Sequence, residues 1–406
     1  MAYVLTKKAL LLDLYAAFAC AKKHKASKPY VVHFRKDLDK NLRQLCDDLW
    51  ERTYKPEPST CFIVERPKKR EVFAAQFRDR VVHHLYYNYT HVLFERTFIQ
   101  DSYSCIPKRG THYGVSRLER HIRQESRNYQ RKCYALKLDK RGYFMHINRH
   151  TLLNITIGSL NKMSSHRIGR GTSQTWGDTL DMDFLRWLSG EIIMLNPKIH
   201  CHIAGSVQDW EGLDHSKSLF YTPDGCGLPI GNLTSQLLSN VYLNVFDQYM
   251  KRTLKCKHYG RYVDDSFVIS TNKKWLRSLV PYIRKFLKKE LGLDLHMGKL
   301  RIVEVIDGME FLGAYVRQYR TYVSRESLCR TIEAIARMEI TDLWEAWRSI
   351  NSFLGMMSHY TSYFVRCRIF LDKRMLSIAT FDSGVKKMNK PQFINLKNYS
   401  YEQNVR

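Results

Sequence analysis

The chain has 406 residues, 44% of them hydrophobic, and a net charge of +27 from 66 Lys and Arg against 39 Asp and Glu. That length can bury a sizeable core divided over two or three subdomains, and the surplus of cations points to a polyanionic partner held through its phosphates. The 10 cysteines never form a close Cys-x-x-Cys pair, which excludes zinc ribbons and redox motifs and suits a reduced, cytoplasmic protein.

Along the chain, residues from Lys7 to Tyr54 carry apolar side chains at helical spacing among many Lys and Arg. The apolar run from Ala9 to Cys20 is interrupted by Asp13 and followed by charge, so a helix is expected there and not a signal peptide. Cys61 to Ala74 reads as a hairpin around Pro67, Lys68, Lys69 and Arg70. Arg78 to Glu95 is helical, and Asp101 to Gly114 is a polar loop whose Lys108 and Arg109 suit phosphate contact. Residues from Lys162 to Gly225 form a long insertion with a basic loop at His166 to Arg170 and a helix over Leu180 to Met194. Within it His200, Cys201 and His202 fit a partly buried strand better than a metal site. Leu328 to Leu376 carries two helical patterns, and the end from Ser383 reads as a loose Lys- and Asn-rich tail. No stretch is long enough to span a bilayer, and no basic amphipathic helix suited to a membrane surface is expected.

The most informative residues are Tyr262, Val263, Asp264 and Asp265. Two adjacent carboxylates lie between short β-branched and aromatic runs, the pattern of a hairpin with acids at its tip. An acidic turn is the plain alternative. Upstream, the alternating run Leu136-Lys137-Leu138 ends on Asp139, with Tyr143 and Phe144 four and five residues further on. A lone Asp there could simply cap the next helix. Taken together, three carboxylates on two strand ends could hold two divalent cations for in-line phosphoryl transfer.

These motifs resemble those of the reverse transcriptases over most of the chain. Asp139 with Phe144, Gly227 to Gln236, Tyr262 to Asp265, Leu291 to Lys299 and Gly308 to Val316 resemble the successive palm motifs in the family's order. Pro67 to Phe73 and Phe77 to His84 resemble the fingers. Ile230-Gly231 and Ser235-Gln236 stand where group II intron enzymes show Gln-Gly and Ser-Pro, and this form is similar to bacterial reverse transcriptases of diversity-generating retroelements. Defence-associated reverse transcriptases, which make DNA on their own non-coding RNA in anti-phage immunity, are the nearest rival.

The resemblance implies an α+β right-hand polymerase. Its parts would be an N-terminal helical extension over 1–55, fingers over 56–135, palm over 136–322 with the basic insertion at 162–225, helical thumb over 323–382 and polar basic tail over 383–406. It implies an RNA-directed DNA polymerase using two magnesium ions, or manganese, on Asp139, Asp264 and Asp265. Lys68 and Arg70 would grip the incoming triphosphate, Phe144 would exclude ribonucleotides, Gln236 would lie near the new base pair, and Lys299 near the leaving pyrophosphate. Arg78, Lys108, Arg109 and Tyr262 would contact nucleic acid. Partners would be a dedicated structured RNA template, a DNA or RNA primer with the cDNA product, and deoxynucleoside triphosphates. A small accessory protein or a second copy is also compatible with it, and a membrane is not expected. An RNA-templated RNA polymerase is disfavoured by Phe144 and Val263, and an idle RNA-binding scaffold by the retention of all three acids.

Overall fold

Ser59–Val64 (β1) and Arg70–Ala74 (β2) alternate buried and exposed residues and pair antiparallel, with Val64 opposite Arg70. This hairpin belongs to a computed structural model that describes residues 5–65, 68–338, 343–371, 373–376 and 379–390. Pro67 and the tail beyond Lys390 lie outside the described residues. The remaining strands are Tyr134–Leu138 (β3), Cys201–Ile203 (β4), His258–Tyr262 (β5), Asp265–Ser270 (β6), Arg301–Glu304 (β7), Met309–Phe311 (β8), Ala314–Arg317 (β9) and Arg320–Val323 (β10).

The helices that accompany them begin with Lys7–Ala21 (α1), Pro29–Lys36 (α2), Leu38–Trp50 (α3) and Phe77–Glu95 (α4). Then come Thr111–Glu125 (α5), Tyr143–His146 (α6), Arg149–Ser164 (α7), Met182–Met194 (α8), Leu233–Gln248 (α9) and Lys273–Leu291 (α10). Arg325–Ala336 (α11), Leu343–Ser358 (α12), Tyr363–Phe370 (α13) and Lys373–Leu376 (α14) follow. Several starts are set by side-chain caps. Thr6 accepts from the Ala9 amide, Asn148 from Thr151 and Asp181 from Phe184. The architecture is mixed α and β, as the sequence indicates.

Two compact units divide the chain. The first comprises residues 1–110, 136–268 and 274–301. In it β5, β6 and β3 lie side by side in that order. Helix α9 is buried nearly all round and packs on α4 and α7, which makes it the central buried helix of this unit. The insertion is less separate than expected. Its strand β4 joins β1 in parallel and makes the third strand of the β2-β1-β4 sheet. Glu71 of β2, itself buried, accepts from Trp210 Nε1 at 2.8 Å, Ser218 Oγ at 2.7 Å and the Leu219 amide at 2.7 Å. A buried carboxylate needs such donors, and only the insertion supplies three of them.

The second unit comprises residues 111–135, 269–273 and 302–406. Residues 111–135, expected with the fingers, and 302–322, expected with the palm, fall here because α5 buries Val115, Leu118 and Ile122 and packs on β9. Strands β8, β9 and β10 form an antiparallel sheet. A core of Ile335, Ile350, Leu354, Met357 and Phe370 includes Val385 and Met388. Residues 383–390 are therefore no loose tail. Arg366 donates to the Val385 and Gly384 carbonyls, and Trp347 Nε1 donates to the Met388 carbonyl at 3.0 Å. The two apolar side chains, hidden among polar neighbours in the sequence, anchor the segment.

A second departure concerns α10. It buries Leu276, Leu279, Ile283, Leu287 and Leu291 on one face and carries a series of Lys and Arg on the other, so it is a basic amphipathic helix after all. Its apolar face is buried within the protein. Among the described residues no helix is long and apolar enough to cross a membrane.

Candidate active site

Strand β5 ends at Tyr262 and β6 begins at Asp265, so Val263 and Asp264 make the tip of the acidic hairpin. The turn is tight enough to put Val263 at φ +51°, a conformation that a β-branched residue adopts only when its surroundings hold it there. A buried polar frame does so. Arg261 donates to both carboxylate oxygens of Asp247, with the shortest contact at 2.7 Å, and both side chains are fully buried. The same guanidinium donates to the Val263 carbonyl at 3.0 Å and to Asn240 Oδ1 at 3.2 Å. Ser104 Oγ accepts from the Val263 amide, and Tyr259 donates to Asp247. Burial opposes the charge on Arg261, and Asp247 outweighs it.

Lys140 completes the frame from below. Its buried amino group donates to the Asp264 carbonyl and to Ser266 Oγ, both at 2.8 Å, and burial lowers its pKa to about 8. The three acids act on one another. Burial first, then Asp265 and Asp139, push Asp264 up to about 6. Asp265, although more exposed at the surface, is raised by partial burial and then by Asp139. Lys299 reaches the cluster because the His296 amide donates to the Asp139 carbonyl, which brings the 292–299 loop against the end of β3. Its amino group bonds Asp139 Oδ2 at 2.7 Å, and that bond raises its pKa. Among the described residues no three His, Cys, Asp or Glu side chains form a ready-made metal cage; Asp139 is engaged by Lys299 instead.

Phe144 sits on α6, which starts at Gly142 in the left-handed region; a Cβ there would lie 3.0 Å from the Ser216 carbonyl. The Phe144 ring is half-buried against a cluster of Cys61, Phe73, Met145 and Leu219 that Ile230 also joins. Gly231 lets the next loop press on β2: a Cβ would fall 2.8 Å from the Phe73 carbonyl, and the Phe73 amide donates to Ile230. Gln236, exposed on the first turn of α9, shares an open groove with Tyr262, Arg109, Tyr87 and Cys105, with about 720 Å³ of empty space.

The cationic residues divide. Lys68 and Arg70 are exposed at the β1–β2 turn, and Lys108 is exposed with φ +63°. Arg109 lines the groove, but its guanidinium donates to the carbonyls of Ile99, Gln100 and Ser102 and so braces the loop. Arg78 corrects the expectation of a nucleic-acid contact. Its guanidinium bonds Asp48 at 2.5 Å, Asp79 at 3.3 Å and the Lys55 carbonyl, and lies over the Tyr54 ring. An arginine paired with two carboxylates inside the chain has less of its charge left for phosphate.

Sequence reasoning missed Arg261, Asp247, Lys140 and Glu71. A signal existed for the first pair. Asn240 and Asp247 stand seven residues apart, on the same side of a helix rich in Leu, Val, Tyr and Phe, and a carboxylate buried there needs a polar partner.

Residues 195–316 match the family described as Reverse transcriptase (RNA-dependent DNA polymerase), a span that holds Gln236, Tyr262, Asp264, Asp265 and Lys299. Protein YkfC of Escherichia coli (strain K12) is 23% identical over 325 residues, covering 72% of this chain and 75% of that protein. Among solved structures, the apo telomerase of Candida tropicalis truncated from its C-terminal domain aligns with TM-score 0.46 at 12% identity, over 70% of this chain and 60% of that one. The telomerase of Candida albicans with a fragment of telomeric RNA aligns with TM-score 0.44 at 11% identity, over 74% and 54%. The chain thus spans little more than half the length of these telomerase structures. Within this mixed α and β chain, residues 195–316 are thus similar to the RNA-dependent DNA polymerase domain of the reverse transcriptases.

Proposed function

We propose that the chain copies a dedicated structured RNA into DNA at the Asp139, Asp264 and Asp265 cluster, as a reverse transcriptase of the diversity-generating retroelement type. The observation that carries the site assignment is the gathering of three carboxylates at two strand ends, where burial first and then Asp265 and Asp139 push Asp264 up to about 6. That is the all-oxygen, charge-rich donor set that hard divalent cations neutralise, and the three Asp would hold two magnesium or manganese ions. Bound there, the ions would activate the attacking hydroxyl and stabilise the leaving pyrophosphate. Lys299, kept protonated by Asp139, would stand ready to give that pyrophosphate a proton. In this reading β1–β2 is the fingers hairpin, and Arg70 and Lys68 meet the triphosphate as a fork and a point charge. Phe144, on the rim of the cluster with Ile230, would present its ring edge to the sugar and reject a 2′-hydroxyl.

Primer extension tests the assignment. Asp139→Asn and Asp264→Asn should each lower DNA synthesis by at least about 100-fold while the protein stays folded. Either variant keeping more than a small fraction of activity would remove the assigned acids. Phe144→Ala should raise ribonucleotide use relative to deoxynucleotides by roughly 10-fold or more; an unchanged ratio would make the ring a packing residue only. The retroelement type rests on Ile230, where an apolar group replaces an amide beside the new pair, and on Gln236, where an amide replaces a proline. Sequencing DNA copied from a defined RNA should show errors concentrated opposite adenine, and accurate copying there would favour the defence-associated type.

A further inference from the structure

Helix α10 carries charge that the synthesis site does not use. Lys274, Arg277, Arg284 and Lys285 are all exposed, and none has an ion-pair partner among the described residues. Lys288 and Lys289, on the same side, are paired at the surface with Asp294 and Glu290, contacts that contribute little. Seven residues separate Arg277 from Arg284, about 10 Å along the helix. Between them Val280 and Pro281, with Met297 of the following loop, line a shallow apolar trough bordered by Arg284 and Lys285. Pro281 stands inside the helix and has no N–H to give to the Arg277 carbonyl. The face therefore offers a row of unpaired cations beside a proline-lined trough.

We infer that this face of α10 is a second RNA surface, which holds the phosphates of a base-paired stem of the RNA. The inference rests on the proposal that the chain works on a structured RNA. Charge complementarity names the occupant. Unpaired cations strung along one side of a helix match a phosphate backbone, and the structured RNA of the proposed function supplies one. A protein partner would have to bring an acidic face, and a membrane would need the apolar face of α10, which is buried. Tyr282 is the one strongly exposed ring on this helix, so the surface is not built for stacking unpaired bases. None of these cations lines the groove of Gln236 and Tyr262.

The test uses the full chain and a blunt RNA hairpin stem with no single-stranded overhang, titrated by fluorescence anisotropy at several salt concentrations. Arg277→Ala, Arg284→Ala and Lys285→Ala combined should lower affinity at least about 10-fold at low salt and reduce the salt slope by about 2 to 3, one unit for each lost phosphate contact. Extension of a short, unstructured primer-template should stay within about two-fold of the parent. The same number of charges removed at Lys23, Lys25 and Lys28 should change stem binding far less. An equal fall in that control would reduce the effect to net charge and overturn the inference. So would unchanged stem affinity in the α10 variant, equal grip on a DNA duplex of the same sequence, or a loss confined to vesicles of phosphatidylserine and phosphatidylcholine. The two readings fail separately. Asp264→Asn protein should bind the stem normally, and a parent chain that binds the stem without making DNA would leave the surface standing while the proposed function fell.

Discussion

The acidic hairpin β5–β6 and the first hairpin β1–β2 are both antiparallel turns that present charge, yet they are held in opposite ways. The tip of β5–β6 is tied from beneath by Arg261, Asp247, Asn240 and Lys140, all buried. The turn of β1–β2 leaves Lys68 and Arg70 exposed, and the hairpin is fastened lower down, where Glu71 accepts from the insertion. The difference follows from the two jobs proposed for them. Carboxylates that must stay near one another against their repulsion need a rigid floor. Cations that meet a mobile triphosphate need reach, and a fixed base is enough.

The largest effect should come from breaking the floor. In Asp247→Ala the Arg261 guanidinium stays buried without its counter-charge, which costs about 3–5 kcal/mol. Chemical denaturation should show that loss, and the acidic hairpin should lose its function with it. A drop below about 1 kcal/mol would mean that the pair is not what holds Val263 in its strained turn. Double replacement with Arg261→Met should recover part of the loss, because no orphan charge remains.

How much of this was legible in the sequence follows the same division. The acidic pair alone reads as a turn, and it is the flanking β-branched runs together with Asp139 that set it apart. The 262–265 turn follows from acids set between two apolar runs, whereas Phe144 is singled out only by the resemblance. The frame beneath was not legible, since Arg261 reads as one more cation in a chain with 66 of them. Glu71 likewise looked like part of a charged turn, and only the fold brings Trp210 and Ser218, about 140 residues away, to its carboxylate. Arg78 shows the converse error. Local sequence made it a surface cation, whereas Asp48 and Tyr54 enclose it. Residues 383–390 failed for a related reason: two apolar side chains, Val385 and Met388, decide the packing of a segment whose composition reads as tail.

A second, smaller effect should come from unfastening the first hairpin. Glu71→Gln keeps the shape but turns a charged acceptor of three bonds into an amide with one acceptor oxygen, at a cost of about 2–3 kcal/mol. The insertion should loosen from β2, and the exposed cations should lose their base. Steady-state kinetics would then show KM for deoxynucleotides rising more than kcat falls. A pure loss of kcat with KM unchanged would place Glu71 in support of the acidic hairpin instead and erase the contrast between the two.

The smallest effect concerns the junction of the two regions, where His83 of α4 is hydrogen-bonded to Thr234 of α9 at 2.8 Å. Burial lowers the His83 pKa to about 4, against 6.5 for an ordinary histidine. The folded chain thus keeps this ring neutral while the unfolded chain takes up a proton. Stability from His83 is fully present above about pH 6.5 and is lost as the pH falls toward about 4. Part of the ring's residue surface still meets solvent, so the loss between pH 7 and pH 5 is held to about 1 kcal/mol. His83→Gln removes the titration and should narrow the stability gap between variant and parent by that amount on acidification. Asp79, raised to about 6 by burial, changes in the opposite sense in both proteins and cancels in the comparison. Parallel pH profiles for parent and variant would show that the His83 ring at the α4–α9 contact stays hydrated.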